Sequence, residues 1–487
     1  MHENNSTVTD NLPQVAPATL IEDGFVYTAD DRNRVHPQGS VLLLGDRIAA
    51  VGPSEEVARE VQALDLAGLR RIPAAGKLVL PGFVNPHWHE SLGAGLAAAD
   101  QNPDDTGDAP GPFAEGGDIR ALSAVFDAIP ARTQTMTPDE ALAIARYSIW
   151  TQLRSGITTY GDVGSMNHSD ALFDATVQLG GRGAVSHWAS DMVCPQGTST
   201  PKRTREVAEI TDPLRALLDR AAADPSGRLR VMPSAVYVTN MSDDLGTALA
   251  ELCTAEDLTF ATHAGALANE PAVVAEYYGT TPIHRLDRLG LLNERLLSVH
   301  TAFVSDSERE LLLKSGFKLS HSPGKYGSTG ESPISGSKLI VDLMRAGIPV
   351  SVSTDGNAYP LGMIETMRMA WLGHNEVWSN ETTVRPSTAL AMGTRLAARC
   401  LRWDDQIGSL EKGKQGDLVL IPATDWRYLL RSRPLDGLLS TGSSNDVDTV
   451  LVAGRVLLED GRSTFLDETE LRTRFIDAVT SFTERSR

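Results

Sequence analysis

The sequence predicts an α/β fold, a (β/α)8 TIM barrel of eight parallel strands with surrounding helices. Eight short apolar runs recur along the chain, and stretches of helical pattern separate them; this alternation is typical of a parallel sheet or barrel. Two of the helical stretches begin with capping boxes, at Thr137 and at Ser305. A doubly wound open sheet is the alternative fold, but no Gly-rich phosphate-binding loop follows any of the runs.

The predicted barrel strands follow one another along the middle of the chain. They are residues 78–91, 156–162, 183–191, 228–238, 258–265, 297–301, 317–323 and 348–356. On either side of the barrel, short alternating apolar runs with Gly turns predict antiparallel strands. The Gly45-Asp46 pair, for example, predicts a hairpin turn between two such runs.

The 487 residues therefore divide into four predicted parts. Residues 1–18 form a polar tail, residues 19–77 a first β region, residues 78–402 the barrel, and residues 403–487 a second β region with the C-terminal segment. Residues 92–135 are rich in Gly, Pro and Asp and follow the first barrel strand. They predict an irregular loop over the face of the barrel where active sites lie.

Composition and charge narrow the range of partners. The net charge of −19 argues against nucleic acid or an anionic membrane, because both require a basic surface. No apolar run approaches the ~18 residues that span a bilayer, and the N-terminal residues lack the basic and apolar regions of a signal peptide. The cysteines, Cys194, Cys253 and Cys400, are far apart, and we expect them to be small core residues. The sequence predicts a cytoplasmic protein with a small-molecule substrate.

The first barrel strand ends in His87-Trp88-His89. Side chains alternate between the two faces of a strand, so the two histidines point to one side and can bind one metal ion, while Trp88 points to the other. Later strands also end in candidate ligands or proton-transfer groups, namely His263, His300, His321 and Asp355. Because catalytic groups lie at the carboxyl ends of barrel strands, we expect these side chains to share one site.

Two segments carry a resemblance to a known family. The run Leu78-Val-Leu-Pro-Gly-Phe-Val-Asn-Pro-His-Trp-His-Glu-Ser resembles the first-strand signature of the metal-dependent amidohydrolase superfamily, and the run from Gly408 to Ile421 resembles its closing segment. The resemblance implies that both chain ends build one composite β-sandwich beside the barrel. It also implies that four residues bind one metal ion, with Asp355 also transferring protons and His300 polarising the substrate or holding the attacking water. The four implied ligands are His87, His89, His263 and Asp355.

The fourth predicted strand indicates how many metal ions to expect. Binuclear members of the superfamily have a carbamylated lysine at the end of this strand, and no lysine occurs there in this chain. One divalent ion is therefore expected. Three imidazoles and a carboxylate suit zinc, iron(II) or cobalt(II), with zinc as the first choice.

The chain departs from the deaminases of the superfamily at Ala266. Cytosine- and guanine-deaminase-like members have a proton-transferring Glu at this position, three residues after the fifth-strand histidine, whereas Glu270 lies one turn further along. The segment that begins at His321 also differs from the usual His-Cys-Pro-x-Ser-Asn of the family. We therefore expect cleavage of a carbonyl C–N or C–S bond in an amide, urea, carbamate or thiocarbamate, as in the branch that hydrolyses phenylurea and thiocarbamate (molinate) herbicides.

Two alternatives stay open at this point. One is a deaminase or dechlorinase of a nitrogen heterocycle, resembling triazine hydrolases, and the other is a non-catalytic scaffold. For an enzyme we expect a homo-oligomer in which several side chains contact the substrate. These candidate substrate-binding residues are Trp88, Phe113, His321, Lys325 and Tyr326.

Overall fold

Short apolar runs form the strands of this protein, and amphipathic stretches form its helices. The structure, a computed structural model, describes residues 12–90, 117–164, 168–331, 333–356, 362–428 and 432–486. The strands are β1 (Ala18–Tyr27), β2 (Val35–Leu44), β3 (Arg47–Pro53), β4 (Leu69–Pro73), β5 (Lys77–Pro81), β6 (Phe83–Trp88), β7 (Ile157–Asp162), β8 (Arg182–Val185), β9 (Met192–Val193), β10 (Lys202–Arg203), β11 (Leu229–Val231), β12 (Ser234–Tyr237), β13 (Phe260–Ala264), β14 (Leu296–His300), β15 (Lys318–His321), β16 (Val350–Val352), β17 (Leu418–Pro422), β18 (Thr449–Val452), β19 (Arg455–Glu459) and β20 (Arg462–Ser463).

Helices lie between most of these strands. They are Ser54–Leu64, Ile119–Thr133, Pro138–Arg154, Ser169–Leu179, Ala208–Ala223, Asp243–Ala255, Glu270–Tyr278, Pro282–Arg288, Asp306–Ser315, Pro323–Thr329, Leu339–Arg345, Met363–Trp378, Pro386–Met392, Arg395–Cys400, Pro434–Thr441 and Glu468–Ser486, with short 3-10 turns at Val238–Asn240 and Ser444–Asp446. The two predicted capping boxes are confirmed at Thr137 and Ser305. Among the described residues, no helix combines the length and apolar character needed to cross a membrane.

The parallel strands pair in a cyclic order. Strands β6, β7, β8 and β11 pair in sequence, and so do β12 to β16. Strands β11 and β12 are two parts of the predicted fourth strand, interrupted at Pro233, which has no N–H to donate to a neighbour. An isolated parallel bridge between Trp88 and Asp355 joins the end of β16 to β6. The mixed α/β class is confirmed, and all eight predicted strand regions contain an observed strand.

Strands from both ends of the chain form a second, nine-stranded sheet. Its order is β20-β19-β18-β17-β5-β1-β2-β3, with β4 beside β1. The predicted hairpin turn at Gly45 is confirmed by the pairing of Leu44 with Arg47. Side chains from both chain ends, such as Val41 and Leu418, fill a separate apolar cluster in this sheet. The chain ends therefore fold together, while their arrangement as a two-layered sandwich stays a prediction.

The structure differs from the sequence prediction at two boundaries. The run that begins at Leu78 is not one strand: Lys77–Pro81 pairs with β1 and β17 of the terminal sheet, and the parallel strand β6 begins only after Gly82. A side chain at Gly82 would lie 2.2 Å from Oγ1 of Thr158, so the chain can pass between the two sheets only as glycine. In the predicted tail, Pro13 is held by a hydrogen bond from Arg455 at 2.7 Å.

The predicted loop of residues 92–135 is also partly wrong. Residues 117–135 are described, and Ile119–Thr133 form a helix whose N-cap is Asp118, which accepts a hydrogen bond from the N–H of Arg120 at 3.0 Å. The apolar residues of this helix pack against the strand ends of the parallel sheet, in one cluster with Tyr237 and Ala266. This segment is therefore a regular cover and not an irregular loop.

Candidate metal centre

Every predicted metal ligand lies at the carboxyl end of a parallel strand. His87 lies near the end of β6 and His89 directly follows that strand; His263 lies near the end of β13, and Asp355 follows β16. Because parallel strands end at the same edge of their sheet, these side chains meet there. All four residues are buried, with at most 8% of any of them exposed.

The carboxylate of Asp355 and the imidazoles form one compact cluster. Oδ1 of Asp355 lies 3.6 Å from Nε2 of His87 and 3.6 Å from Nε2 of His89. The ligand nitrogens of His87, His89 and His263 lie within 4.8 Å of one another. His263 is oriented by its Nδ1, which contacts the carbonyl oxygen of Val236 and so leaves Nε2 for the cluster. The structure thus brings together all four residues that the resemblance implied.

Burial and neighbouring charges set the protonation of this cluster. Burial, with His87 and other neighbours, lowers the pKa of His89 to about 3, and it holds the pKa of His263 well below its usual range. Burial alone would raise the pKa of Asp355, but Lys325 and His87 outweigh this effect and hold it well below its usual range. At neutral pH His89 and His263 are therefore neutral imidazoles, and Asp355 is a carboxylate.

These donors fit a divalent metal ion. Neither ring nitrogen of His87 has a hydrogen-bond partner among the described residues, although the side chain is fully buried. An unpartnered imidazole is costly in a protein interior unless a metal ion satisfies it. Three neutral imidazoles and a carboxylate form a donor set that zinc and related ions prefer.

His300 lies beside the cluster in a defined orientation. Its Nε2 is 3.2 Å from Oδ2 of Asp355, and its Nδ1 is 2.8 Å from the hydroxyl of Tyr326. His300 and Asp355 both have left-handed backbones, with φ of 69° and 56°. This conformation is unfavourable for residues other than glycine and often marks functional positions. The two residues predicted to handle protons and polarise the substrate are therefore held in strained positions next to each other.

The segment after β15 provides a second polar group. Nζ of Lys325 lies 3.8 Å from Oδ2 of Asp355 and forms a salt bridge with Glu331. Both partners are almost completely buried. His321, at the end of β15, contacts His374 with 3.0 Å between their Nε2 atoms. Three of the predicted substrate-contacting residues, His321, Lys325 and Tyr326, thus lie around the cluster, and their contact with substrate stays a prediction.

Two other predicted substrate contacts are not brought to the cluster. Trp88 is 6% exposed and packs edge-on against Tyr160, with 5.1 Å between ring centroids, so it belongs to the apolar core behind β6. The alternation of the strand turns Trp88 away from His87 and His89, and its contact with substrate stays a prediction. Phe113 lies outside the described residues.

Sequence reasoning missed several residues of the site. Tyr237 ends β12 and stacks on His263, with ring centroids 4.5 Å apart; it lies at the strand end where binuclear relatives have lysine. Glu331 and His374 are buried polar partners that no motif identifies. Of these three residues, only Tyr237 had a sequence signal, its position at the end of a predicted barrel strand. Phe126 of the helix Ile119–Thr133 was not missed, because the sequence already offers it as an aromatic residue for an apolar pocket; its ring stacks on Tyr237 with 5.6 Å between centroids.

The structure also describes Ala266, which stands at the position of the missing glutamate, and its neighbour Glu270. Ala266 is 1% exposed and lies in the apolar cluster beneath the helix Ile119–Thr133. Oε2 of Glu270 accepts a hydrogen bond from the N–H of Ala266 at 2.7 Å. Glu270 thereby stabilises the turn after β13, and burial raises its pKa to about 7.

A buried donor set for a divalent metal, at one edge of a parallel sheet within an α/β fold, defines the class of a metal-dependent hydrolase. The profile of the Amidohydrolase family matches residues 78–457. This match covers most of the chain, and the protein belongs to that family. The predicted membership of the metal-dependent amidohydrolases is confirmed.

Curated relatives resemble the chain over almost its full length. A 5'-deoxyadenosine deaminase of Methanobrevibacter smithii is 26% identical over 473 residues, which cover 96% of this chain and 99% of the relative. A 5-methylthioadenosine/S-adenosylhomocysteine deaminase of Symbiobacterium thermophilum is 28% identical over 469 residues, covering 94% and 98% of the two chains. Relatives named as deaminases thus align with almost the whole chain.

Solved structures share its fold. Atrazine chlorohydrolase of Arthrobacter aurescens TC1, complexed with zinc, superposes with a TM-score of 0.80 at 23% identity, covering 95% of this chain and 100% of the other. An adenosine deaminase of Xanthomonas campestris with bound zinc gives a TM-score of 0.80 at 23% identity, covering 98% and 99%. Together with the family match, these findings support a metal-dependent hydrolase that acts on carbon–nitrogen bonds.

Proposed function

We propose that this protein is a zinc-dependent hydrolase that replaces an amino group, or a comparable leaving group, on a carbon atom of a nitrogen heterocycle. The observation that carries the proposal is the buried set of three imidazoles and one carboxylate, with His300 beside it. The names of the curated relatives, deaminases of adenine nucleosides, point to an aminopurine as substrate, and the fold neighbours point to an aminotriazine or chlorotriazine. Both are planar nitrogen heterocycles.

We further propose how the fold serves this site. The cyclic strand order is that of a closed (β/α)8 barrel, and the terminal sheet is a composite domain that closes against it. His87, His89, His263 and Asp355 hold one ion, for which zinc is the first choice. When bound, this ion supplies the Lewis acidity that activates a water molecule near neutral pH.

The side chains of the cluster divide the remaining work. Asp355 is a carboxylate at neutral pH, so it can accept a proton from the attacking water and return it to the leaving group. Nε2 of His300 faces the same carboxylate and can donate a hydrogen bond to the substrate when charge develops there. Burial of these groups excludes bulk water and strengthens both interactions.

Ala266 favours a second candidate function, hydrolysis of a carbonyl C–N bond in an amide, urea, carbamate or thiocarbamate. Ring deamination needs a proton on a ring nitrogen as water adds, and Ala266 cannot supply it. General acid–base assistance of this kind contributes about 10²–10⁴-fold in rate. An acyclic carbonyl depends less on such assistance, because its oxygen can be stabilised by the metal and by His300. The relatives nevertheless favour the heterocycle, and it is our first choice.

A substrate panel tests the proposal directly. Purified zinc-loaded protein is incubated separately with 5'-deoxyadenosine, cytosine, an amino-1,3,5-triazine, N-phenylurea and an S-alkyl thiocarbamate, and the products are identified by mass spectrometry. Zinc-loaded Asp355→Asn protein is the control for uncatalysed reaction. We expect exchange of an amino group for oxygen in at least one heterocycle. Cleavage of only the urea or thiocarbamate would establish the second candidate, and no turnover of any compound would favour the non-catalytic scaffold.

A further inference from the structure

The segment from Pro323 to Glu331 contains a buried ion pair, Lys325 with Glu331, next to the cluster of proposed metal ligands. Lys325 and Glu331 have only 4% and 2% of their side chains exposed. Taking two charges out of water is expensive, and an apolar pair of the same size is often at least as stable. A buried ion pair next to metal ligands is therefore a candidate functional group. Thr329 also donates a hydrogen bond to Glu331 at 3.0 Å, so the carboxylate that holds Lys325 is itself held in place.

Lys325 and His300 approach the same point of the site. Nε2 of His300 lies 3.2 Å from Oδ2 of Asp355, and Nζ of Lys325 lies 3.8 Å from that same oxygen. Two donors that converge on one carboxylate oxygen, without a hydrogen bond to it, can both turn to a substrate atom placed next to it. Their convergence resembles the arrangement of donors in an oxyanion hole.

Tyr326 fixes which nitrogen of His300 is the donor. The hydroxyl of Tyr326 accepts a hydrogen bond from the N–H of Ser322 at 3.1 Å and lies 2.8 Å from Nδ1 of His300. If Nε2 of His300 had no proton, its lone pair would face the carboxylate of Asp355, which is unfavourable. The hydroxyl of Tyr326 therefore donates to Nδ1, and Nε2 carries the proton that points into the site.

We propose that Lys325 and His300 form a two-donor pocket for the acceptor atom next to the carbon that water attacks. That atom is a ring nitrogen in a heterocycle and a carbonyl oxygen in an acyclic substrate; in both it gains negative charge as water adds. Glu331 and Tyr326 are positioning residues that hold the two donors. The inference rests on the proposed hydrolytic function, and it names the substrate class as planar molecules with such an acceptor.

The two-donor pocket supplies a hydrogen-bond donor that the site otherwise lacks, because Ala266 stands where a glutamate is expected. The resemblance to cytosine- and guanine-deaminase-like members implies a Glu at this position that serves the ring nitrogen. Here Lys325, on the segment after β15, brings a charged donor close to the same cluster. A hydrogen bond from a charged donor is stronger than one between neutral groups, and it gains further in a site that excludes water.

Removal of the charged donor tests the pocket. We compare zinc-loaded wild-type protein with Lys325→Met and Lys325→Gln, and use Lys314→Met as the control because Lys314 is 75% exposed and its salt bridge, with Glu310, lies at the surface. Zinc content, kcat on the best substrate of the panel, and the affinity for methylphosphonate are measured for each. Methylphosphonate is a tetrahedral oxyanion that probes the pocket without turnover.

We expect Lys325→Met to keep its zinc and lose about 10²–10³-fold in kcat, as is typical for one donor of an oxyanion hole. Its affinity for methylphosphonate should fall about tenfold or more. Lys325→Gln keeps a neutral donor and should lose less of each, whereas Lys314→Met should match the wild type. If Lys325→Met does not fold, Lys325→Gln decides by the same two measurements.

Retained kcat and probe affinity in a zinc-loaded Lys325 variant would overturn the proposal, and so would loss of zinc in both variants, because Lys325 would then act only through Asp355. A wild-type protein that turns over nothing in the panel would contradict the proposed function. The ratio of methylphosphonate affinities would still test the pocket, so the two failures are distinguishable.

Discussion

Glu270 is the side chain that could still replace the missing glutamate, and Glu270→Gln tests whether it does. In the structure Glu270 stabilises the turn after β13 through the N–H of Ala266, and a glutamine oxygen can accept that same hydrogen bond. We therefore expect Glu270→Gln to keep kcat within a few-fold of the wild type at full zinc content. A general acid in the proton route would instead lose about 10²–10⁴-fold.

Glu270→Gln should also change how the unfolding free energy depends on pH. Burial raises the pKa of Glu270 from its ordinary 4.5 to about 7. The folded state therefore binds this proton more tightly than the unfolded state does. This difference stabilises the folded protein fully below pH 4.5, and the stabilisation is lost as the pH rises through 7. A pKa that differs by one between the folded and unfolded states changes the unfolding free energy by about 1.36 kcal/mol, so the wild type should lose about 2–3 kcal/mol from this group between pH 5 and pH 8.

Chemical denaturation of zinc-saturated protein at pH 5 and pH 8 measures this loss. Other titrating groups contribute equally to both proteins, so only the difference between wild type and Glu270→Gln is interpreted. The margin by which the variant exceeds the wild type in unfolding free energy should be about 2–3 kcal/mol larger at pH 8 than at pH 5. An identical pH dependence would show that Glu270 is ionised in the folded state, and a large loss of kcat with zinc retained would place Glu270 in the proton route.

Three further substitutions probe the ligands, the cover and the contact between the sheets. Asp355→Asn should lower kcat by about 10²–10⁴-fold, more than it lowers the zinc content, because an amide can coordinate weakly but cannot take a proton; substantial turnover would remove Asp355 from proton transfer. Phe126→Ala should mainly raise KM and widen the range of substrates, since Phe126 stacks on Tyr237 at the cover of the site; unchanged preferences across the panel would contradict this. Arg182→Ala should lower the unfolding free energy by about 3–5 kcal/mol, because it leaves the buried carboxylate of Asp417, 3.2 Å away, without its cation; a loss below about 1 kcal/mol in chemical denaturation would refute that reasoning.

The clustering of the four proposed metal ligands could be predicted from the sequence because strand geometry determines their position. Alternation along β6 puts His87 and His89 on one face, and the carboxyl ends of parallel strands bring His263 and Asp355 to the same edge. The same alternation turns the side chain of Trp88 away from these residues, as the sequence alone indicates. Each of these conclusions depends on local regularity and on a rule about sheet topology.

The errors come from tertiary contacts that local patterns do not encode. The run from Leu78 to Pro81 is apolar in either sheet, so its periodicity cannot tell that it pairs with β17 of the far chain end. Glu331 is recognisable only once Lys325 lies beside it in space. The helix Ile119–Thr133 is different, because Asp118 followed by apolar residues at helical spacing was a readable start signal. The Gly- and Pro-rich residues before it obscured that signal.

The substitution Ala266→Glu restores the residue that deaminase-like members have at this position. In this chain Ala266 lies in an apolar cluster with Leu122 of the covering helix and with Tyr237, and it is 1% exposed. A glutamate there needs room and a partner for its charge, and burying an unpaired charge is strongly unfavourable. We expect the variant to lose several kcal/mol of unfolding free energy and to gain no activity towards the native substrate. Ala266→Gln, of similar volume but uncharged, separates the effect of size from that of charge. A folded Ala266→Glu protein that deaminates a heterocycle faster than the wild type would show that this position faces the substrate, and the two-donor pocket would then not be what compensates for Ala266.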